Sequence, residues 1–425
     1  MKDQRVKKST VVVVGQGYVG LPLAMGAVSA GFDVVGIDVD ERRVKRLAAG
    51  DSFIEDISSS DLGAALETGR YRASSDWAAA ADFDVCVITV PTPLREGVPD
   101  LSYVEESGRS VAALLKPGAT VVLESTTYPG TTDQILQPIL EEGSGLVAGK
   151  DFFLGYSPER IDPGNQTWGL ANTPKVVSGI DQESLDRVQE FYGAFVQKVV
   201  PVSTTRTAEM TKLLENTFRH VNIALVNEIA SVSPALGVDM WEAVDAADSK
   251  PFGFMRFTPG PGVGGHCLPI DPSYLLWQVR QTSRSDIRMI AAANDINDHM
   301  PDYVVSRLQS ALNERRLAVK GAKVLVLGLA YKKNVGDIRE SPALAVVKLL
   351  LDLGADLRAA EPYLGAAEMP AGVRRVELDE KELAGSDAVI VLTDHDAFDY
   401  DLVASSAPYV LDTRNRCRGP HVERL

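Results

Sequence analysis

The segment Pro259-Gly-Pro-Gly-Val-Gly-Gly-His-Cys-Leu-Pro-Ile-Asp-Pro272 is too rich in glycine and proline for core helix or strand, and it presents a thiol, Cys267, with a carboxylate, Asp271, four residues on. A thiolate adds to an aldehyde to give a thiohemiacetal. Its remaining C–H bond can pass hydride to a nicotinamide and leave a thioester, so that one site performs two oxidations. Taken alone, Cys267 reads equally well as a small buried hydrophobe. That second reading is the right one for Cys86, inside the apolar run Asp84-Val-Cys-Val-Ile88, and Cys417 has no motif around it. His266 precedes the thiol, and neighbours in extended chain point apart, so it is assigned a structural or substrate-facing place rather than that of the thiol's base.

A second glycine-rich segment would supply the hydride acceptor. Gly15-Gln-Gly17-Tyr18-Val19-Gly20 is a G-x-G-x-x-G run between an apolar stretch and a helical one. Glycines there allow a tight turn and bring a pyrophosphate against a helix N-terminus. Asp38 ends the next apolar stretch, where a carboxylate accepts hydrogen bonds from ribose hydroxyls and repels a 2′-phosphate. The combination favours NAD. Arg43, one helical turn beyond, is the group that would instead receive such a phosphate.

The elements that must position these groups alternate at first. Thr10 to Val14 reads as a strand buried on both faces, followed by a helix from Gly20 to about Ala30, a strand Asp33 to Ile37, a helix near Glu41 to Ala49, and strands Val85 to Val90 and Thr120 to Leu123. This βαβ series implies a parallel sheet. From about Ala208 to Leu236 apolar residues fall at three- and four-residue steps without a glycine, which predicts one long helix able to join two domains. Pro251 to Pro272 interrupts the helical region, which resumes at Ser285 to Gln309. From Lys320 a second α/β pattern begins, with a strand at Lys323, a helix at Pro342 to Leu353, and strands near Ala355, Ala388 and Tyr409. It echoes the first without a complete glycine fingerprint.

The 425 residues, 45% hydrophobic and 24% charged, suffice for two or three domains. A formal charge of −15, from 43 basic and 58 acidic side chains, argues against nucleic acid or an anionic membrane as the partner and requires local positive groups for any anionic ligand. Three cysteines are too few and too scattered for a disulfide framework or a zinc site, so no metal is expected. The basic start is followed by an apolar run broken at once by glycines, unlike a signal peptide, and no stretch has the length of a membrane span; a cytoplasmic location is expected.

With these residues assembled, the chain resembles the UDP-glucose/GDP-mannose dehydrogenases from end to end. The resemblance rests on the fingerprint, Val90-Pro-Thr-Pro93, Glu124-Ser-Thr-Thr-Tyr-Pro-Gly-Thr-Thr132, Ser157-Pro-Glu-Arg160, Glu209-Met-Thr-Lys-Leu-Leu-Glu-Asn216, Asn227-Glu228, Gly-Gly-His-Cys-Leu-Pro-Ile-Asp271, and Leu329 to Pro342. It implies two Rossmann-like doubly wound α/β domains joined by a long central helix: an NAD-binding part over 1–205, a central helical dimerisation part with the cysteine loop over 206–310, and a nucleotide-sugar-binding part over 311–425. The implied reaction is the NAD-dependent four-electron oxidation of the C6 hydroxyl of a nucleotide sugar to a carboxylate.

By matched position the resemblance makes Cys267 the nucleophile and gives Asp271 a share in activating the water that hydrolyses the thioester. Lys212 and Asn216 would stabilise the developing oxyanion, and Thr126 and Glu159 would hold or activate water near C6. Gly15, Gly17, Tyr18, Val19, Gly20, Asp38, Arg43, Thr92, Thr126 and Arg339 would line the cofactor. Glu159, Arg160, Lys212, Asn216, Gly264, Lys332 and Arg414 would contact the substrate, while Arg256 would reach a neighbouring subunit's substrate in a homodimer. The sequence departs from many UDP-glucose dehydrogenases in carrying Pro163 where they have a second glutamate, and is more similar to the branch acting on UDP-N-acetylhexosamines. Within the family a UDP- or dTDP-glucose substrate is the other reading; outside that reaction the competing readings are a one-step hydroxyacid or sugar-alcohol dehydrogenase, which needs no cysteine, and a non-catalytic NAD-binding protein.

Overall fold

The computed structural model describes residues 9–54, 56–162, 165, 167–265, 268–283 and 285–425. The chain divides into two compact units, Met1–Glu215 and Asn216–Leu425, and the division falls in sequence within the long helix Thr205–Leu236.

In the first unit the strands, named from one edge, run Val199–Pro201, Lys175–Gly179, Phe153–Tyr156, Thr120–Leu123, Val85–Ile88, Thr10–Val14, Asp33–Ile37 and Tyr71–Ser74. Strand Thr10–Val14 pairs in parallel with Asp33–Ile37 on one side and Val85–Ile88 on the other, so the strand order reverses beside it. A reversal of this kind opens a crevice at the carboxyl ends of the strands, where the glycine run lies. Val11, Val12 and Val13 are fully buried because both sheet faces are covered, Val12 with Cys86 and Leu123 on one face, Val11 and Val13 with Leu21 and Ala24 on the other.

The sheet is not wholly parallel. Phe153–Tyr156 and Lys175–Gly179 pair antiparallel. A parallel partner needs a crossover, usually helical, and the described residues between these strands contain no helix.

The second unit has a six-stranded sheet among its described residues, ordered Arg374–Arg375, Asp356–Ala360, Lys323–Leu327, Ala388–Val391, Val410–Asp412 and Val422–Arg424. Its first turn repeats the first unit's plan in different residues. Gly328 follows the central strand at φ +80°, as Gly15 does at +89°. Glu361 ends the neighbouring strand and accepts the Leu329 N–H at 2.7 Å, as Asp38 accepts the Gln16 N–H at 2.9 Å. Here, however, the carboxylate is taken: buried His395 lies 3.1 Å from it through Nε2, while its Nδ1 accepts the Asn334 N–H. The plan is that of a dinucleotide turn with its ribose acceptor already hydrogen-bonded.

The helix expected to resume at Ser285 begins earlier, as Asp271–Ser283 followed by Arg288–Glu314. Pro272 marks a break in sequence, yet proline fits the first turn of a helix, whose N–H groups lack intrahelical acceptors.

Candidate active site

The first unit carries a dinucleotide cradle. Gly15 adopts a backbone that L side chains rarely take, and its N–H is donated to the Ile37 carbonyl at 2.7 Å. Gly20 lies so close to that turn that an added Cβ would sit 1.8 Å from the Gly15 carbonyl oxygen, whereas one on Gly17 would meet nothing within 4 Å. Gly17 therefore leaves open space beside the start of helix Gly20–Ser29, whose first buried residue is Gly20 itself. Tyr18 and Val19, both half-buried, complete the turn. Asp38, 6% exposed, is oriented by the Gln16 and Asp40 N–H groups, and Arg43 lies 3.8 Å from it with its guanidinium over the Phe53 ring. Open space at the second glycine, a helix N-terminus and an oriented carboxylate fit NAD.

Farther along the same unit, the Thr92 hydroxyl donates to the Thr126 carbonyl at 2.7 Å, bringing two residues singled out from the sequence together. The next hydroxyl, Thr127, is fully buried and has no hydrogen-bond partner among the described residues. Glu159 is held on all sides: one oxygen accepts the Arg160 and Ile161 N–H groups, each at 2.6 Å, and the other lies 3.1 Å from the Lys175 ammonium. Arg160 is committed to Glu215 at 2.7 Å and to the Pro174 carbonyl.

Lys212 stands apart from this paired set. It is 8% exposed, and among the described residues its ammonium has no hydrogen-bond or ion-pair partner. Its turn of the long helix is anchored by Glu209, whose carboxylate accepts the Gly130 N–H at 2.6 Å, the Thr132 N–H at 2.9 Å and the Thr132 hydroxyl at 2.7 Å. Burial pushes the Glu209 carboxyl up to about 7, against the pull of these three donors.

In the second unit, Asn216 donates a short hydrogen bond through Nδ2 to Asp271, a buried carboxylate in the first turn of helix Asp271–Ser283. A carboxylate there is favoured by the helix dipole. Cys267 and Pro163 lie outside the described residues. The described part of the loop before Cys267 is tied down by hydrogen bonds. Gly260 donates its N–H to Asn227 Oδ1 at 2.9 Å, Asn227 donates to Asn297 at 3.0 Å, and Gly265 donates to the Arg339 carbonyl at 3.2 Å. A Cβ on Gly264 would stand 2.6 Å from the Glu340 carbonyl, so this glycine permits the loop to pack against residues 339–342.

Arg414 reaches the same loop, since a Cβ on Gly260 would come within 2.8 Å of its Nη1. Its Nε donates to the Leu392 carbonyl, and it has no ion pair among the described residues; burial pushes its pKa down from the ordinary arginine value. Arg339 is exposed and paired to Asp337 at 2.5 Å, Lys332 is half-buried, and Arg256 is paired at the surface with Asp245 at 2.7 Å.

Lys175, Glu124, Glu209 and Asn227 are structural partners the sequence left without roles. Three of them fall inside quoted motifs, but only the fold shows what they hold. Lys175 lies outside every motif and becomes visible only as the cation between two buried carboxylates.

The sequence matches the three parts described for the UDP-glucose/GDP-mannose dehydrogenase family: the NAD binding domain over residues 9–196, the central domain over 206–299 and the UDP binding domain over 325–419. It is 35% identical to UDP-N-acetyl-D-mannosamine dehydrogenase of Pyrococcus horikoshii, with 97% of each chain covered. It is 36% identical to UDP-N-acetyl-D-glucosamine 6-dehydrogenase of Pseudomonas aeruginosa, with 85% of each covered. The structure is similar to that of the Pyrococcus horikoshii enzyme, at a TM-score of 0.89 and 34% identity over 98% of both chains. It is also similar to a UDP-glucose dehydrogenase of Pyrobaculum islandicum, at 0.88 and 29% identity over 100% of this chain and 98% of that one. With the fingerprint, the carboxylate at Asp38 and the matched domains in agreement, the chain belongs to the UDP-glucose/GDP-mannose dehydrogenase family and uses NAD.

Proposed function

We propose that the protein oxidises the C6 hydroxyl of a UDP-N-acetylhexosamine to the uronate, through a thiohemiacetal and a thioester on Cys267. The observation that carries this reading is the hydrogen bond between Asn216 and Asp271, two residues 55 apart in sequence that the family resemblance placed in one reaction. NAD, when bound, accepts a hydride in each of the two oxidations. Lys212, a buried ammonium without a carboxylate, offsets charge on the C6 oxygen as it develops. Asn216 is oriented by Asp271 and donates to the same oxygen. Cys267 attacks the aldehyde as thiolate, and Asp271 takes a proton from the water that cleaves the thioester, returning the thiol and releasing the carboxylate. Arg414, half-buried and in no ion pair among the described residues, receives the diphosphate.

Purified protein given a panel of UDP-sugars and NAD should yield two NADH per UDP-N-acetylhexosamine, and Cys267→Ser should abolish acid formation. One NADH per sugar, or uronate made by Cys267→Ser at the wild-type rate, would overturn the covalent route.

We further propose a homodimer seated on the long helix, with 1–205, 206–310 and 311–425 as its cofactor, dimerisation and nucleotide-sugar parts and the cytoplasm as its location. Leu214, Phe218, Leu225, Ile229, Val232 and Leu236 are exposed by 41–72% and recur at three-, four- and seven-residue steps along one helix stripe. An apolar stripe of this length is a seam for a second copy. Arg256 would then reach the substrate of the partner. Among the described residues no helix is long and apolar enough to cross a membrane.

A further inference from the structure

Four ionisable side chains meet inside the first unit, each from a different element. Lys175 begins strand Lys175–Gly179, Glu124 follows strand Thr120–Leu123, Glu159 follows strand Phe153–Tyr156, and Tyr192 comes from helix Gln182–Gly193. The Lys175 ammonium donates a short hydrogen bond to Glu124 and lies 3.1 Å from Glu159. Tyr192 donates a short hydrogen bond to the other oxygen of Glu124, and its ring lies under the ammonium at 5.2 Å. All four are buried, with the lysine and Glu124 side chains 4% and 0% exposed.

We propose that Lys175, braced by Glu124 and Tyr192, is a positioning residue that holds Glu159 in one orientation toward the reacting sugar. This rests on the reading that Glu159 acts at the substrate. The geometry limits what Glu159 does. Both of its oxygens already accept hydrogen bonds, two from backbone and one from Lys175, so it cannot swing as a mobile base. It is a fixed anion that orients water or a hydroxyl.

The charge balance agrees. One cation faces two buried carboxyl groups, so a second anion would have no counter-charge. Burial pushes Glu124 up to about 8, while Glu159, although burial opposes its charge, is held down to about 2 by Lys175, Glu124 and the Ile161 N–H. At neutral pH the pocket thus holds Lys175 and Glu159 charged and Glu124 protonated, with no net charge. Glu124 is the group that would release its proton in alkali.

The test combines an infrared and a kinetic measurement on the full chain. The wild type should show a protonated-carboxyl band at pH 7 that titrates near pH 8 and is missing from Glu124→Gln. Lys175→Met should lower kcat about 100-fold with little change in KM for NAD, and Lys175→Arg should recover most of the loss. If Lys175→Met fails to fold, Tyr192→Phe takes its place and should shift the band's titration without moving NAD binding. No carboxyl band at pH 7, a band that survives in Glu124→Gln, or wild-type kcat in folded Lys175→Met would overturn the proposal. Wild-type kcat in Glu159→Gln would instead remove the role of Glu159, while the infrared result still reports on the pocket.

Discussion

Two glycines of one fingerprint should fail in opposite ways when each becomes alanine. At Gly20 the new Cβ would stand 1.8 Å from the Gly15 carbonyl oxygen and 2.6 Å from Thr89 Oγ1. A relaxed carbon–oxygen contact needs roughly 3.3 Å, so the turn must open by about 1.5 Å. Thr89 resists that opening, because its hydroxyl is hydrogen-bonded to the Val14 and Gly15 carbonyls at 2.8 and 2.9 Å. Overpacking of this kind costs about 1–3 kcal/mol or more, which in a unit of this size lowers the melting temperature by roughly 2–12 °C. At Gly17 nothing lies within 4 Å, so Gly17→Ala should melt within about 1 °C of the wild type. Its methyl group would instead occupy the space that the pyrophosphate needs, and the dissociation constant for NAD should rise about 100-fold or more. Thermal unfolding without ligand and NAD titration of both variants decide the matter. A Gly17→Ala protein that melts as low as Gly20→Ala, or that binds NAD like the wild type, would refute the assignment of the cradle.

Further outcomes follow from the buried charges. The folded chain retains protons on Glu124 up to about pH 8 and on Glu209 up to about pH 7, where an ordinary glutamate releases them near 4.5. Their contribution to stability is therefore full below pH 4.5 and is lost as pH rises through 7 and 8; denaturant unfolding across that range should show the decline, and Glu209→Gln should remove the part ending at pH 7. Glu209→Ala strands the Gly130 and Thr132 N–H groups, at about 1–3 kcal/mol each, so it should unfold at lower denaturant and lower kcat by loosening the turn that bears Lys212. Arg414→Ala should raise KM for the nucleotide sugar more than tenfold while leaving NAD binding unchanged, and equal effects on both ligands would remove it from the substrate site.

The parts of this site that sequence disclosed are those whose chemistry is local. The glycine run and Asp38 sit within one βαβ unit, so spacing alone placed them, and the strand, turn and helix formed as expected. The Asn216–Asp271 pair needed the fold, because 55 residues separate its members, and the resemblance supplied what periodicity could not. Pro272 misled for a physical reason: the residue that breaks a helix interior is at home in a helix's first turn. Glu209 and Asn227 were legible only as motif members, since what they bind is backbone, at Gly130, Thr132 and Gly260, and backbone acceptors and donors carry no sequence signature.

The cations inside the protein divide by whether a carboxylate accompanies them, and the division locates function. Lys175 has two carboxyl groups within reach, one of them the Glu159 anion, and is internally satisfied, so on the proposed reading its charge serves the arrangement of Glu159. Lys212 is buried and among the described residues has no ion pair, while Arg414 is half-buried and feels the charges of Asp394 and Asp412 without pairing directly with either. In a chain with a formal charge of −15, carboxylates are abundant, and the buried Lys212 ammonium left without one is a choice of the fold. Such a charge costs stability until an anion arrives. On the proposed reading the arriving anion recovers that cost as binding free energy: at Arg414 a diphosphate, at Lys212 the oxygen that becomes negative only as hydride leaves. An interaction of the second kind is strongest in the transition state and weak before it, so it raises kcat rather than lowering KM. Lys212→Met should therefore reduce kcat by a factor of roughly 100 or more while the KM for the sugar nucleotide changes little. A rise in KM with kcat intact would mean that Lys212 binds the ground state and that the oxyanion is stabilised elsewhere.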